Sequence, residues 1–209
     1  LHKRWIHVLG AAAGLALAFS TKGAIGVVMP GLFVLFLAIN RRLLLSLFSL
    51  KWLALILLFV AGISPVLYCY YLQFNLHPEK VIRGKDHIDG VRFILFNQST
   101  ERYTGVMGDT LKQDYFFFLH TFLWAFAPWS FFSFYVLYKI IRGIKDQKTE
   151  IASTLVFVFF IGLVSFSGFK LPHYLNSGFP FVAVFTAGFL LRSATNPLLV
   201  KRIYRLQLI

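Results

Sequence analysis

The chain has 209 residues, 58% of them hydrophobic and only 14% charged, with a mean hydropathy of +0.71 and a formal net charge of +13. So large an apolar share exceeds what a water-soluble domain of this size needs for its core, and it points to lipid as the solvent. The single cysteine, Cys69, excludes an internal disulfide framework; the bases gather on no soluble face and match no motif, which excludes nucleic acid as a partner.

In chain order, the opening twenty residues combine a basic start with an apolar run, as a secretory signal does. More apolar runs follow and no small-x-small cleavage pattern closes the first, so it reads as a membrane span. Six candidate spans result, at about 5–20, 24–39, 51–72, 115–138, 151–168 and 175–192. The first two are short for a hydrocarbon core of about 30 Å, and Thr21-Lys22-Gly23 between them predicts a turn. All six are expected to be helices, because lipid leaves backbone groups no outside partner, and the Phe-rich runs lack the alternation of a barrel strand. The expected fold class is therefore all-α: one polytopic transmembrane domain over residues 1–209 with a long extracytoplasmic loop, 73–114. A start at Leu1 rather than Met, and a stop inside a basic stretch, read as a piece of a longer protein.

Charge sets the expected orientation. Residues 1–4, 40–51, 139–150 and 192–209 carry 13 Lys/Arg against two acids, whereas Lys22, the loop 73–114 and Lys170 carry eight against six. The first set, with both ends of the chain, is then cytoplasmic. The polar chemistry, including six of the eight acids, falls on the opposite face.

Three places on that face stand out. Lys22 either snorkels to the interface or opens a helix whose N-terminal amides help to bind phosphate. In 91–105, Phe93, Phe96, Thr100 and Tyr103 recur near helical spacing, with Asn97, Glu101 and Arg102 on or beside another face. This predicts an amphipathic interfacial helix ended by Gly105 and Gly108. Arg102 is either a solvated charge on that helix or a planar fork for an anionic lipid head group. In "GFKLPHYLNSGFP" (168–180), Lys170, His173 and Tyr174 meet beside Pro172 between two uncharged runs. A helical path is disfavoured at Leu171, so a turn is expected there. Lys170 and Tyr174 would line a cavity, with a snorkelling lysine and a belt tyrosine as the plain alternative.

Four segments in order carry a resemblance: "GLALAFSTKGAIGVVMPGL" (14–32), "FILFNQSTERYTG" (93–105), "DYFFFLHTFLWAFAPWS" (114–130) and "SFSGFKLPHYLNSGFPFVAVFTAGFL" (165–190). Together they resemble the membrane domain, in its C-terminal part, of the bacterial glycosyltransferases that use a polyprenyl-phosphate sugar donor. That family contains the lipid A aminoarabinose transferase and is related to the protein O-mannosyltransferases. The chain departs from its pattern at Ala24, where proline is frequent, at Ser99, where a histidine is common, and after Tyr174, where Leu175-Asn176-Ser177 follows.

The resemblance implies a GT-C-like bacterial inner-membrane fold and sugar transfer to a lipid, glycan or protein acceptor on the extracytoplasmic face. It implies Lys22, Arg102, Lys170 and Tyr174 as ligands of the donor phosphate, with Asn97, Glu101, Tyr103 and His173 as additional site residues. The catalytic acid is expected upstream of Leu1, so no catalytic residue is assigned within the chain; a divalent metal is left open. The sugar, the acceptor and the oligomeric state are not legible. A transporter or flippase of lipid-linked sugars is the alternative, although its charges belong near the bilayer midplane and here they stand at the span ends.

Overall fold

The computed structural model describes residues 2–81, 84, 86–104, 114–142, 148–168, 170–193 and 201. Every regular element among them is helical. The order is α1 (His2–Lys22), α2 (Ala24–Arg41), a 3-10 turn (Leu44–Phe48) and α3 (Leu50–Tyr70), which continues into a π-helical turn (Tyr71–Asn75). Then come α4 (Gly90–Arg92), a second π-helical turn (Phe93–Asn97), α5 (Gln98–Thr104), α6 (Phe117–Ala125), α7 (Trp129–Ile141) and α8 (Lys148–Ser165). A 3-10 helix (Pro172–Ser177) leads into α9 (Phe179–Ser193). The chain forms two compact units, Leu1–Gly31 with Arg42–Asp109, and Leu32–Arg41 with Thr110–Ile209.

Among the described residues, three helical segments are long and apolar enough to cross a membrane, or four if the bent α6–α7 pair counts as one: Trp5–Lys22, Ala24–Arg41 and Leu50–Asn75 are the three. The first two extend past the bounds expected from sequence, α1 to 21 residues and α2 to 18. The segment expected as one straight span, 115–138, is instead broken, with α6 and α7 bent by 120°. Pro128 explains the break: it has no N–H to donate, and its ring disfavours helical geometry at Ala127. Ser130 Oγ donates to the Leu123 carbonyl at 2.8 Å, occupying an acceptor that the interrupted helix leaves open. The apolar stretches Glu150–Ser165 and Phe179–Leu191 are shorter than the ~20 helical residues that a hydrocarbon core requires.

In the first unit, the predicted turn between the first two spans is a single residue. Gly23 adopts φ +64°, and its amide donates to the Phe19 carbonyl at 2.7 Å, which ends α1. The turn is so tight that a methyl group on Gly26 would overlap the Ala18 carbonyl. Helices α1 and α3 meet around Ala16, Phe19, Ile63 and Ile94, and Phe19 and Phe59 pack edge to face at 6.2 Å. Gly62 admits the Ala16 methyl group, leaving 2.9 Å where its own Cβ would be.

The helix expected over 91–105 is present from Gly90 to Thr104 as α4, the π-helical turn and α5 in unbroken succession; Gly105 and Gly108 lie outside the described residues. Its start is tied to the end of α3. Asn75 Nδ2 donates to Asp89 Oδ1 at 3.1 Å, the Gly90 amide donates to Asn75 Oδ1 at 3.0 Å, and the Arg92 amide donates to Asp89 Oδ1 at 3.0 Å. Asp89 is thus an N-cap, and the Arg92 amide, then the Asn75 side chain, hold its carboxyl below the usual aspartate range.

The second unit is built on phenylalanine. Phe118, Phe122, Phe160 and Phe185 are fully buried with Leu175, Val156 and Val182. Ser133 and Thr186 share a hydrogen bond of 2.9 Å between α7 and α9, and Gly178 lets the chain pass within contact of Phe157 and Phe160.

Two outcomes follow for stability. Gly26→Ala is expected to lower the melting temperature of the detergent-solubilised protein, at a cost of about 1–3 kcal/mol, because backbone on one side of the turn must move. Gly10→Ala, inside α1 where no atom lies within 4 Å of the added methyl, is the control and should match the parent or exceed it by up to about 1 kcal/mol, alanine being the better helix former. Asp89→Ala should cost the 90–104 helix about 1 kcal/mol as a lost cap. Because the carboxyl titrates below its ordinary range when folded, its contribution is complete above that range and is lost as pH falls from it through the lower folded value. Amide protection over 90–104, taken relative to the intrinsic exchange rate at each pH, should therefore fall on acidification in the parent, and the variant should lose the part of this response owed to Asp89.

Candidate functional site

Lys22 is the last residue of α1 and exposed, and α2 begins at Ala24. It therefore closes a helix, at the carbonyl end where a cation complements the dipole, and the expectation that it opens the next helix is corrected. The amides just beyond it are partly used already, since Gly26 N–H donates to the Gly23 carbonyl at 3.0 Å.

Gln98, which drew no notice in the sequence, stands against this turn: a methyl on Gly23 would lie 3.2 Å from Gln98 Oε1. The start of α5 is thereby placed beside the end of α1. Arg102 belongs to α5, one turn beyond Gln98, and its side chain lies outside the described residues. Asn97 and Glu101 are half-buried and Tyr103 is exposed, along the same helical stretch. Lys22, Gln98 and the backbone of Arg102 thus belong to one region of the first unit.

Lys170 and Tyr174 belong to the second unit, on one short segment. Leu171 is extended, with φ −132° and ψ 137°, as expected for the residue before a proline. Pro172 then occupies the first turn of the 3-10 helix, where a missing N–H costs nothing. Leu175 is fully buried and fastens this helix to the unit, and Gly178 follows as its C-cap.

The two side chains meet different surroundings. Lys170 is only 5% exposed, and its Nζ lies 5.6 Å from the centroid of the Tyr115 ring. No carboxylate among the described residues pairs with that ammonium. Tyr174 is half-buried and stacks on Phe118, centroids 6.3 Å apart and planes 17° from parallel. His173 points outward, exposed, with its ring edge-on to Tyr174 at 5.1 Å. The turn thus separates its three polar residues: Lys170 inward, Tyr174 partway, His173 to the surface.

A cation withdrawn from water without a carboxylate is an unmet electrostatic demand, since burying an unpaired charge costs several kcal/mol. Such a group can attract an anion or stabilise negative charge that develops in a reaction. Among the described residues, no group of three or more His, Cys, Asp or Glu side chains is arranged to hold a metal ion.

The chain is similar to an uncharacterized protein of Aquifex aeolicus (strain VF5), with 25% identity over 197 residues. That alignment takes in 93% of this chain and 34% of the relative, so the chain spans about a third of the relative's length. No family model matches the chain. No solved structure matches it either.

Proposed function

We propose that the chain is part of a membrane glycosyltransferase that moves a sugar from a polyprenyl-phosphate donor to a lipid, glycan or protein acceptor at the extracytoplasmic face. The observation that carries this reading is Lys170, a buried ammonium beside Tyr174 on a proline-stiffened turn, with no carboxylate partner among the described residues. The ordered resemblance of the segments around Lys22, Arg102, Trp129 and Lys170 supports the same reading.

In the reaction, the acceptor hydroxyl attacks the anomeric carbon of the donor, and the bond between that carbon and the phosphate oxygen breaks. The electron pair leaves with the polyprenyl phosphate, whose growing charge Lys170 takes up, with a hydrogen bond from the Tyr174 phenol. Lys22 and Arg102, on the first unit, bind phosphate as well in this reading. The acceptor proton passes to a general base outside this chain. The Lys/Arg-rich segments face the cytoplasm of the inner membrane, and the bent α6–α7 pair, α8 and α9 complete six crossings with α1, α2 and α3.

Two measurements test it. Lys170→Gln in the full-length protein should weaken binding of polyprenyl monophosphate roughly ten- to a hundredfold, the loss of one charge-assisted hydrogen bond, and Tyr174→Phe should weaken it less. Wild-type affinity in both variants returns the turn to a plain interfacial connection. For orientation, single cysteines at Asp86 and Lys148, in a Cys69→Ser background, should react with an impermeant reagent from opposite sides of the membrane. Reaction from one side overturns the arrangement of spans.

A further inference from the structure

The beginning of α6 supplies an aromatic ring to each of the two side chains on the Lys170–Tyr174 segment. Asp114 Oδ1 accepts the Phe116 amide at 2.9 Å, a side-chain turn that leads the chain into the helix. Within that turn Tyr115 presents its ring face to Lys170 Nζ at 5.6 Å, and three residues later Phe118, fully buried, stacks on Tyr174. Phe166, at the end of α8, packs on Tyr115 at 5.6 Å between centroids and limits where that ring can go.

We propose that Tyr115 is a positioning residue for the anion site: its ring face stands in for a counterion, holding the Lys170 ammonium in place while leaving its N–H donors to an anionic ligand. This rests on the reading of Lys170 as an anion-binding group. A carboxylate in the same place would hold the ammonium more tightly, but it would accept those donors and oppose an approaching phosphate. An aromatic quadrupole attracts the cation without repelling the anion as a formal charge would, and the attraction is strongest where water is excluded. Lys170, 5% exposed, meets that condition on the cation's side, while Tyr115 is 45% exposed.

The test drains the ring's negative face without changing its size. In the full-length protein, Tyr115 is replaced by phenylalanine and by its mono-, di- and trifluorinated analogues. Melting temperature and affinity for polyprenyl monophosphate are read for each, and the melting series is repeated with Lys170→Met. Tyr115→Phe should keep affinity within about twofold, and the trifluorinated ring should bind about three- to tenfold more weakly, in even steps between. The melting temperature should fall along the same series and lose that slope in the Lys170→Met chain. A melting series that is flat, or equally steep without the lysine, overturns the cation–ring pairing. A sloping melting series with flat affinity overturns the positioning role. Wild-type affinity in Lys170→Gln would instead reject the anion-site reading, while the melting series still decides whether Tyr115 holds the lysine.

Discussion

A chain that places its segments in hydrocarbon must satisfy each backbone N–H and C=O from within itself, and the rest of this structure depends on that constraint. It makes the regular elements helical and turns every helix end into a problem with a local answer. Gly23 answers it with a positive φ and a bond back to Phe19, Asp89 by accepting the Arg92 amide, and Ser130 by reaching across the α6–α7 break to Leu123. The π-helical turns at Tyr71–Asn75 and Phe93–Asn97 keep the backbone bonded where α3 ends and the 90–104 helix begins.

Close approach is the second organising feature, and glycine provides it at places that matter for the site. Gly26 permits the sharp return beside Lys22, and Gly90 lies so near the Tyr70 carbonyl and Phe74 that a Cβ would strike both. Gly178 does the same against Phe157 and Phe160. A few small residues therefore set where Lys22, the 90–104 helix and the Lys170–Tyr174 segment stand within their units.

Within the second unit the site is a balance between burial and charge. Lys170 is held against the Tyr115 ring, with no carboxylate paired to it among the described residues, and Tyr174 stacks on Phe118. Phenylalanine-rich packing excludes water, which raises the cost of leaving the ammonium unpaired and strengthens any interaction with an anion that reaches it.

The sequence by itself determined the all-helical character, the apolar segments, the tight turn at Gly23, the helix over 91–105 and the non-helical backbone at Leu171. These follow from composition, spacing and the local sterics of Gly and Pro, which act within a few residues. The break at Pro128 was also written locally, but the apolar run 115–138 masked it because hydropathy is blind to a missing N–H. That Lys22 ends a helix rather than opening one depended on whether α1 persisted to its full length. Only the tertiary structure decided that Lys170 is buried, that Gln98 abuts Gly23, and that Tyr115 and Phe118 divide Lys170 and Tyr174 between them. Burial and ring contacts arise where segments distant in the chain pack together, and no local spacing encodes which residue will meet which.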